Sequence, residues 1–241
     1  MKKYLALLLI TIMAVSVLSA AGAVTAQKAA TQPISVQKAV VQPISAPIDL
    51  LYSPGATYRY TPAQFNQQWY WWTVINSATA SAAASGGTAS ASISTTTTGA
   101  PIPVGQAGES WAAVGMGWQQ PTLPSTGQYS TWAAVKNMPC TVTVTAYYVI
   151  QARGNQNTYA NAYWGPWLQG SPYRQDSVVA GYTGQIKAWI TTTTWHGTVG
   201  ALFSGGSGFA GVAVDSGQPS GGPGQASGNI VCTSIVLAFP K

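Results

Sequence analysis

Residues 78–94 read Ala78-Thr79-Ala80-Ser81-Ala82-Ala83-Ala84-Ser85-Gly86-Gly87-Thr88-Ala89-Ser90-Ala91-Ser92-Ile93-Ser94. Alanine holds the even positions before the glycines, and Ala89, Ala91 and Ile93 hold odd positions after them. A period of two marks an extended strand with one apolar face. The change of phase across Gly86-Gly87 is what a two-residue hairpin requires. Folding there sets Ala84 opposite Ala89, Ala82 opposite Ala91 and Ala80 opposite Ile93, with all these side chains on one face. Two glycines supply the positive φ that a type I′ turn needs at both central positions. An alanine-rich helix is the competing reading. Hydroxyl residues at nearly every second position and two consecutive glycines argue against it. The apolar face is mostly methyl groups, so normal packing density calls for something bulky, such as an aromatic ring from a facing sheet.

Working outward, further strands are predicted at 69–75, 111–118, 129–135, 140–152, 177–182, 185–195, 198–203, 208–214 and 229–239. Gly- and Pro-bearing segments separate them, notably 121–127 and 216–228. Val142, Val144, Ala146, Tyr148 and Ile150 form one face of their strand, while Thr141, Thr143, Thr145 and Tyr147 form the other. Many short strands without helical periodicity indicate an all-β fold. The expected class is a single antiparallel β-sandwich or jelly-roll-like domain over 51–241.

The chain has 241 residues, of which only 6% are charged, with ten Lys or Arg, four Asp or Glu and one His. Its 26 Thr and 22 Ser replace charge as the solvating surface. Low charge with 46% hydrophobic residues excludes a disordered chain and a coiled coil. Scattered bases without a basic run argue against a nucleic-acid partner. Four carboxylates also leave stability little dependent on acid.

Lys2 and Lys3, an apolar stretch and small residues near Ala21-Gly22-Ala23 read as a secretory signal peptide over 1–26. The exported chain is then extracellular or at the cell surface, with no membrane segment after cleavage. Export permits a disulfide, and Cys140 and Cys232 are the only cysteines, so a Cys140–Cys232 bridge is expected. No Asn-x-Ser/Thr sequon occurs. Residues 27–50 form an extended, Pro-containing arm with an imperfect repeat, Gln27-Lys28-Ala29-Ala30 and Gln37-Lys38-Ala39-Val40. Three readings stay open for it: a linker or pro-segment, the first strand of the domain, or an arm that docks into a neighbouring subunit.

Little catalytic chemistry is on offer. His196 stands alone, and neither a metal set nor a cofactor motif is present. Glu109, the sole glutamate, raises the reading of an acid-active glutamic-type peptidase, with Gln67 and Gln68 or Gln119 and Gln120 as partners for activating water. A glycosidase pair would have to be drawn from four scattered acids. Aromatics are plentiful instead. Trp69-Tyr70-Trp71-Trp72 must present rings on both faces of a strand. Tyr159, Tyr163, Trp164, Trp167 and Tyr173 fall in a segment read as a polar loop and form a candidate aromatic surface for glycans.

A signal segment, an arm with alternate apolar residues and a charge-poor Ser/Thr/Ala/Gly-rich β domain together resemble secreted archaeal pilus or thread subunits. The resemblance implies assembly by donor-strand complementation into a head-to-tail homopolymer. Ile44, Ala46, Ile48 and Leu50 would be the donor side chains, with Ile34, Val36 and Val40 in reserve. The first expectation is therefore a non-catalytic extracellular structural subunit of a filament or surface layer. A secreted carbohydrate-binding or adhesive β-sandwich is the alternative.

Overall fold

The computed structural model describes residues 37–41, 48–49, 52–74, 78–95, 108–119, 135–154, 157–167, 173–180, 184–203, 207–218 and 223–241. The strands are β1 (Gln37–Val41), β2 (Ile48–Asp49), β3 (Thr57–Tyr60), β4 (Gln67–Val74), β5 (Ala78–Ser85), β6 (Thr88–Thr95) and β7 (Gly108–Gln119). They continue with β8 (Pro139–Gly154), β9 (Tyr159–Trp167), β10 (Arg174–Val179), β11 (Gln185–Thr198), β12 (Ser207–Gln218) and β13 (Gly224–Ala238). Among the described residues a 3-10 turn (Pro62–Gln64) lies between β3 and β4, and a short α-helix, α1 (Val199–Leu202), lies between β11 and β12.

Two sheets face each other, as the sequence pattern predicts. The first runs β1-β4-β7-β12-β9-β10, with β2 added parallel to β7. The second runs β11-β8-β13-β6-β5, with β3 added to β13. Every other pairing is antiparallel.

The hairpin forms in the predicted register: Ala84 faces Ala89, Ala82 faces Ala91 and Ala80 faces Ile93. Gly86 and Gly87 have φ of 51° and 84°. Gly87 is further constrained, because an added Cβ would lie 2.9 Å from the Cys232 carbonyl oxygen and 2.8 Å from Pro62. The methyl face packs toward β4, β7 and β12. Tyr70 joins the core from the inner side of β4 with its ring parallel to that of Trp72, supplying the aromatic bulk that the alanine face calls for.

The core lies between the sheets. Val142, Val144, Ala146, Tyr148, Ile150 and Ala152 of β8 are all buried. Strand β13 solves a problem of phase against them. Ile230 and Cys232 are even-numbered, whereas Ile235, Leu237 and Phe239 are odd, yet all five are buried. A bulge between Cys232 and Ser234 resets the alternation. Without it the last three side chains would face outward, and each large apolar side chain left exposed forgoes about 1.5–3 kcal/mol.

Three expectations change. Cys140 and Cys232 are free buried thiols, not a disulfide. Register explains why: Cys232 faces Ala146 on β8, six residues beyond Cys140. At about 3.4 Å per residue that is roughly 20 Å, far beyond the ~7 Å that a bridge tolerates. Burial pushes both thiols up to about 12. The segment read as a strand at 198–203 contains α1 instead. Thr198 Oγ1 accepts from the Ala201 N–H, and the i, i+3 pair Val199 and Leu202 enters the core. The segment read as a loop at 159–167 is strand β9, between β12 and β10. Its pairing with β10 stops at Trp164, so Pro166 lies where one flank has no described strand and its missing N–H costs little.

In the arm, β1 and β2 belong to the chain's own first sheet. Val40 faces Trp71 of β4, and Ile48 faces Trp118 of β7. The other named arm residues (Ile34, Val36, Ile44, Ala46 and Leu50), the signal segment and most of 129–135 lie outside the described residues. Among the described residues no helix is long and apolar enough to cross a membrane.

Candidate functional site

Strand order turns scattered aromatics into one surface. The inner face of the first sheet is fixed by Ala112, Val114, Met116 and Trp118 of β7, all in the core. The alternate residues Glu109, Trp111, Ala113 and Gly115 therefore point to the outer face. Register then reads off each row of that face. Trp71 faces Trp111, which faces Asp215, which faces Asn161. In the next row, Trp69, Ala113, Ala213 and Tyr163 stand side by side. Beyond it Gln67, Gly115, Gly211 and Gly165 follow.

The large rings surround small residues. Trp69 meets Phe209 edge to face, with centroids 4.7 Å apart at 69°. Trp69, Trp111, Ala113 and Phe209 line a pocket of about 150 Å³. Its floor is the alanine, and its walls are rings from three adjacent strands. Gly115 and Gly211 are needed beside it. A Cβ on Gly211 would lie 2.3 Å from the Val114 carbonyl oxygen and 2.7 Å from the Phe209 ring.

Polar groups gather at the β9 side of the rings. Tyr163 Oη donates to Asp215 Oδ2 at 3.2 Å. The other oxygen, Asp215 Oδ1, is buried without a hydrogen-bond partner. Burial raises Asp215 to about 6 against the stabilising contacts of Asn161 and Tyr163, and the negative charge of Glu109 adds to the rise. Tyr159 lies over Gly217, where an added Cβ would meet its hydroxyl at 2.5 Å. Tyr159 and Tyr163 are both held well above the ordinary phenol value, by burial first and then by the Asp215 carboxylate. The arrangement offers apolar faces flanked by a largely buried carboxylate and by phenol hydroxyls that stay protonated.

The aromatic residues picked out in the sequence divide. Tyr159 and Tyr163 belong to this face. Tyr173 joins it edge to face with Tyr163, at 5.7 Å, and is 43% exposed. Trp167 continues the β9 register opposite Phe209, and its side chain lies outside the described residues. Trp164 does not belong: strand alternation turns it inward, where it stacks on Tyr148 at 5.5 Å and donates from Nε1 to Thr193 Oγ1. Trp111, Phe209 and Asp215 were not singled out as a surface, because their neighbours come from strands distant in sequence. The same-face spacing of Trp69 and Trp71 was the available signal.

The peptidase pairing finds no geometry here. Gln67 faces Gly115, six residues and about 20 Å along β7 from Glu109. Gln68 belongs to the inner-facing set of β4. The side chain of Gln119 and all of Gln120 lie outside the described residues. His196 is exposed on the outer face of the second sheet, opposite Thr141. No group of three or more His, Cys, Asp or Glu among the described residues is placed to hold a metal ion.

No family model matches the sequence, and neither does any curated protein. Solved structures give distant likenesses. One is the glycoside hydrolase domain of Endo-D from Streptococcus pneumoniae R6, at 6% identity and a TM-score of 0.24, over 73% of this chain and 22% of that one. Another is TmCBM61 in complex with β-1,4-galactotriose, at 8% identity and a TM-score of 0.21, over 67% of this chain and 88% of that one. At such TM-scores neither likeness bears on what this chain binds.

Proposed function

We propose that this chain is an extracellular, non-catalytic β-sandwich that binds carbohydrate on the outer face of its first sheet. The observation that carries this reading is the pocket lined by Trp69, Trp111, Ala113 and Phe209, with Tyr163 and Asp215 at its flank. Small-ligand sites are mostly apolar with a few convergent polar groups, and aromatic rings give large contact area at little entropic cost. The C–H face of a pyranose stacks on an indole, and its hydroxyls donate to oxygens such as Asp215 Oδ2 and Tyr163 Oη, whose own proton is held by Asp215. The low charge of the chain suits a neutral, hydroxyl-rich ligand.

Affinity electrophoresis and calorimetry against a panel of neutral polysaccharides test this. Trp111→Ala should weaken binding about 30- to 100-fold, the range expected for loss of a central aromatic anchor. Retained binding by Trp111→Ala, or no binding to any member of the panel, would sink the reading.

A second reading, a structural surface subunit, is favoured by a different observation, the apolar strand β11, which ends its sheet among the described residues. Negative-stain microscopy separates the two. Regular fibres of the purified protein support the subunit, and their absence at high concentration argues against it.

A further inference from the structure

Strand β11 ends the second sheet. One flank pairs with β8 from Gln185 opposite Ala152 to Thr198 opposite Pro139. The other flank meets no strand among the described residues. Such an edge presents a row of unpaired backbone N–H and C=O groups, and monomeric proteins blunt it with short strands, prolines, bulges or outward lysines. Here the strand has 14 residues, no proline and an unbroken register. Its one lysine, Lys187, is turned to Asp176 of β10 in an ion pair. Instead, its first half is apolar and open on both faces. Ile186 and Ile190 are 69% and 62% exposed on the outer face, with exposed Ala188 between them. Trp189 is 65% exposed on the inner-facing side, opposite Tyr148.

We infer that this edge pairs with the same edge of a second copy, β11 against β11, antiparallel about a two-fold axis through Ala188. The sequence of the strand is self-complementary only in that register. Centred on Ala188, Ile186 lies opposite Ile190 of the second copy, and the two Ala188 residues lie opposite each other, so one face is wholly apolar. On the other face Lys187, its charge met by Asp176, lies opposite Trp189 of the second copy, so the indole packs on the lysine stem twice, while Gln185 lies opposite Thr191. Moving the axis to Lys187 would set the two lysines face to face. Moving it to Trp189 would set Ile186 against Thr192. An isologous contact of this kind closes at two copies and differs from a head-to-tail chain, which stays open. The two second sheets then form one continuous sheet, and the exposed isoleucines and tryptophans shield one another laterally across the new pairing.

Sedimentation velocity of the full-length chain and site-directed crosslinking test the inference. The wild type should sediment as a dimer, and Ile190→Lys should shift it to monomer, weakening association about 100-fold. Ile190 is exposed in one copy, so the variant should keep the wild-type circular dichroism spectrum and a cooperative unfolding transition, which shows that folding is intact. Opposed Cα atoms in an antiparallel pair lie about 4.5–5.5 Å apart, within disulfide reach. Mild oxidation of Ala188→Cys should therefore give a covalent dimer, and Thr194→Cys, six residues from the axis, should not. The native thiols are buried and do not compete. A wild type that stays monomeric at about 100 μM would overturn the inference. So would species growing beyond two copies, a dimeric Ile190→Lys variant, or a dimer that Ala188→Cys fails to crosslink.

Discussion

The two outer faces of this sandwich are built from the same backbone geometry and opposite side chains. Away from the β11 edge, many outward residues of the second sheet are short and bond to one another across strands. Ser81 meets Ser92 at 2.6 Å, Thr143 meets Thr194 at 2.8 Å, and Thr192 donates to Thr145. Gln151 donates to Ser227 and Asn229 to Ser90. Polar groups that satisfy each other laterally present a flat surface with few free handles. On the first sheet the outward residues are large rings set among glycine and alanine, and one buried carboxylate oxygen has no partner. That relief is the ground on which the first face is proposed as the binding surface. The hydroxyl-rich part of the second face lacks that relief and is a solvated wall.

The sharpest way to break this contrast is to fill the space that glycine leaves. Gly211→Ala should destabilise by about 2–4 kcal/mol, since its Cβ collides with backbone as well as the Phe209 ring. Thermal unfolding should show a melting temperature lower by several degrees; an unchanged value would mean that the strands separate there at no cost.

The next effect is smaller and is present only at high pH. Asp215 has a folded-state value raised to about 6. A raised carboxylate adds stability that is fully present below its unfolded value near 3.9 and is lost as pH rises through about 6. Asp215→Asn should therefore raise the melting temperature at pH 8, change it little at pH 4 and weaken glycan binding. An equal shift at both pH values would refute the assignment. Asp176, next to Lys187 and Tyr148, runs the other way. Although its partial burial acts to raise it, the hydrogen bonds from Lys187, Tyr148 and the Ser177 N–H outweigh that and hold it below the ordinary value. Its contribution is present above pH ~4 and fades as pH falls through its folded value. The two slopes occupy different windows, Asp176 below about pH 4 and Asp215 from about pH 4 to 6, so the wild-type stability should peak near pH 4 and decline toward pH 7.

The smallest effect belongs to the hydroxyl wall. Thr143→Ala should cost no more than about 0.5–1 kcal/mol and leave glycan binding untouched, because Thr194 turns to water instead. A large loss of binding would show that the ligand sits on the second sheet, and would overturn the comparison itself.

Much of this molecule is legible in its residues. Ala78–Ser94 carries its hairpin in plain view, because strand alternation and Gly-Gly turn chemistry are local. Cys140–Ala152 likewise announces a half-buried strand. The disulfide was misread because spacing along the chain says nothing of register between strands, and the Thr233 bulge that helps set that register breaks no obvious rule in the sequence. The strand β9 was misread because Gly165-Pro166 looks like a loop until an adjacent strand's end makes room for it. The pairing of Trp69 and Trp111 with Phe209 was out of reach, since β4, β7 and β12 become neighbours only in the folded sheet.

By itself, then, the sequence determined which segments extend, which of their faces are apolar and that the surface would be made of hydroxyls. These follow from side-chain period, turn chemistry and composition, all local quantities. Only the tertiary structure decided which strands lie side by side. That choice placed the indoles around one pocket, left Asp215 Oδ1 without a donor and put β11 at an edge, because strand order depends on long-range packing between sheets that no local pattern records.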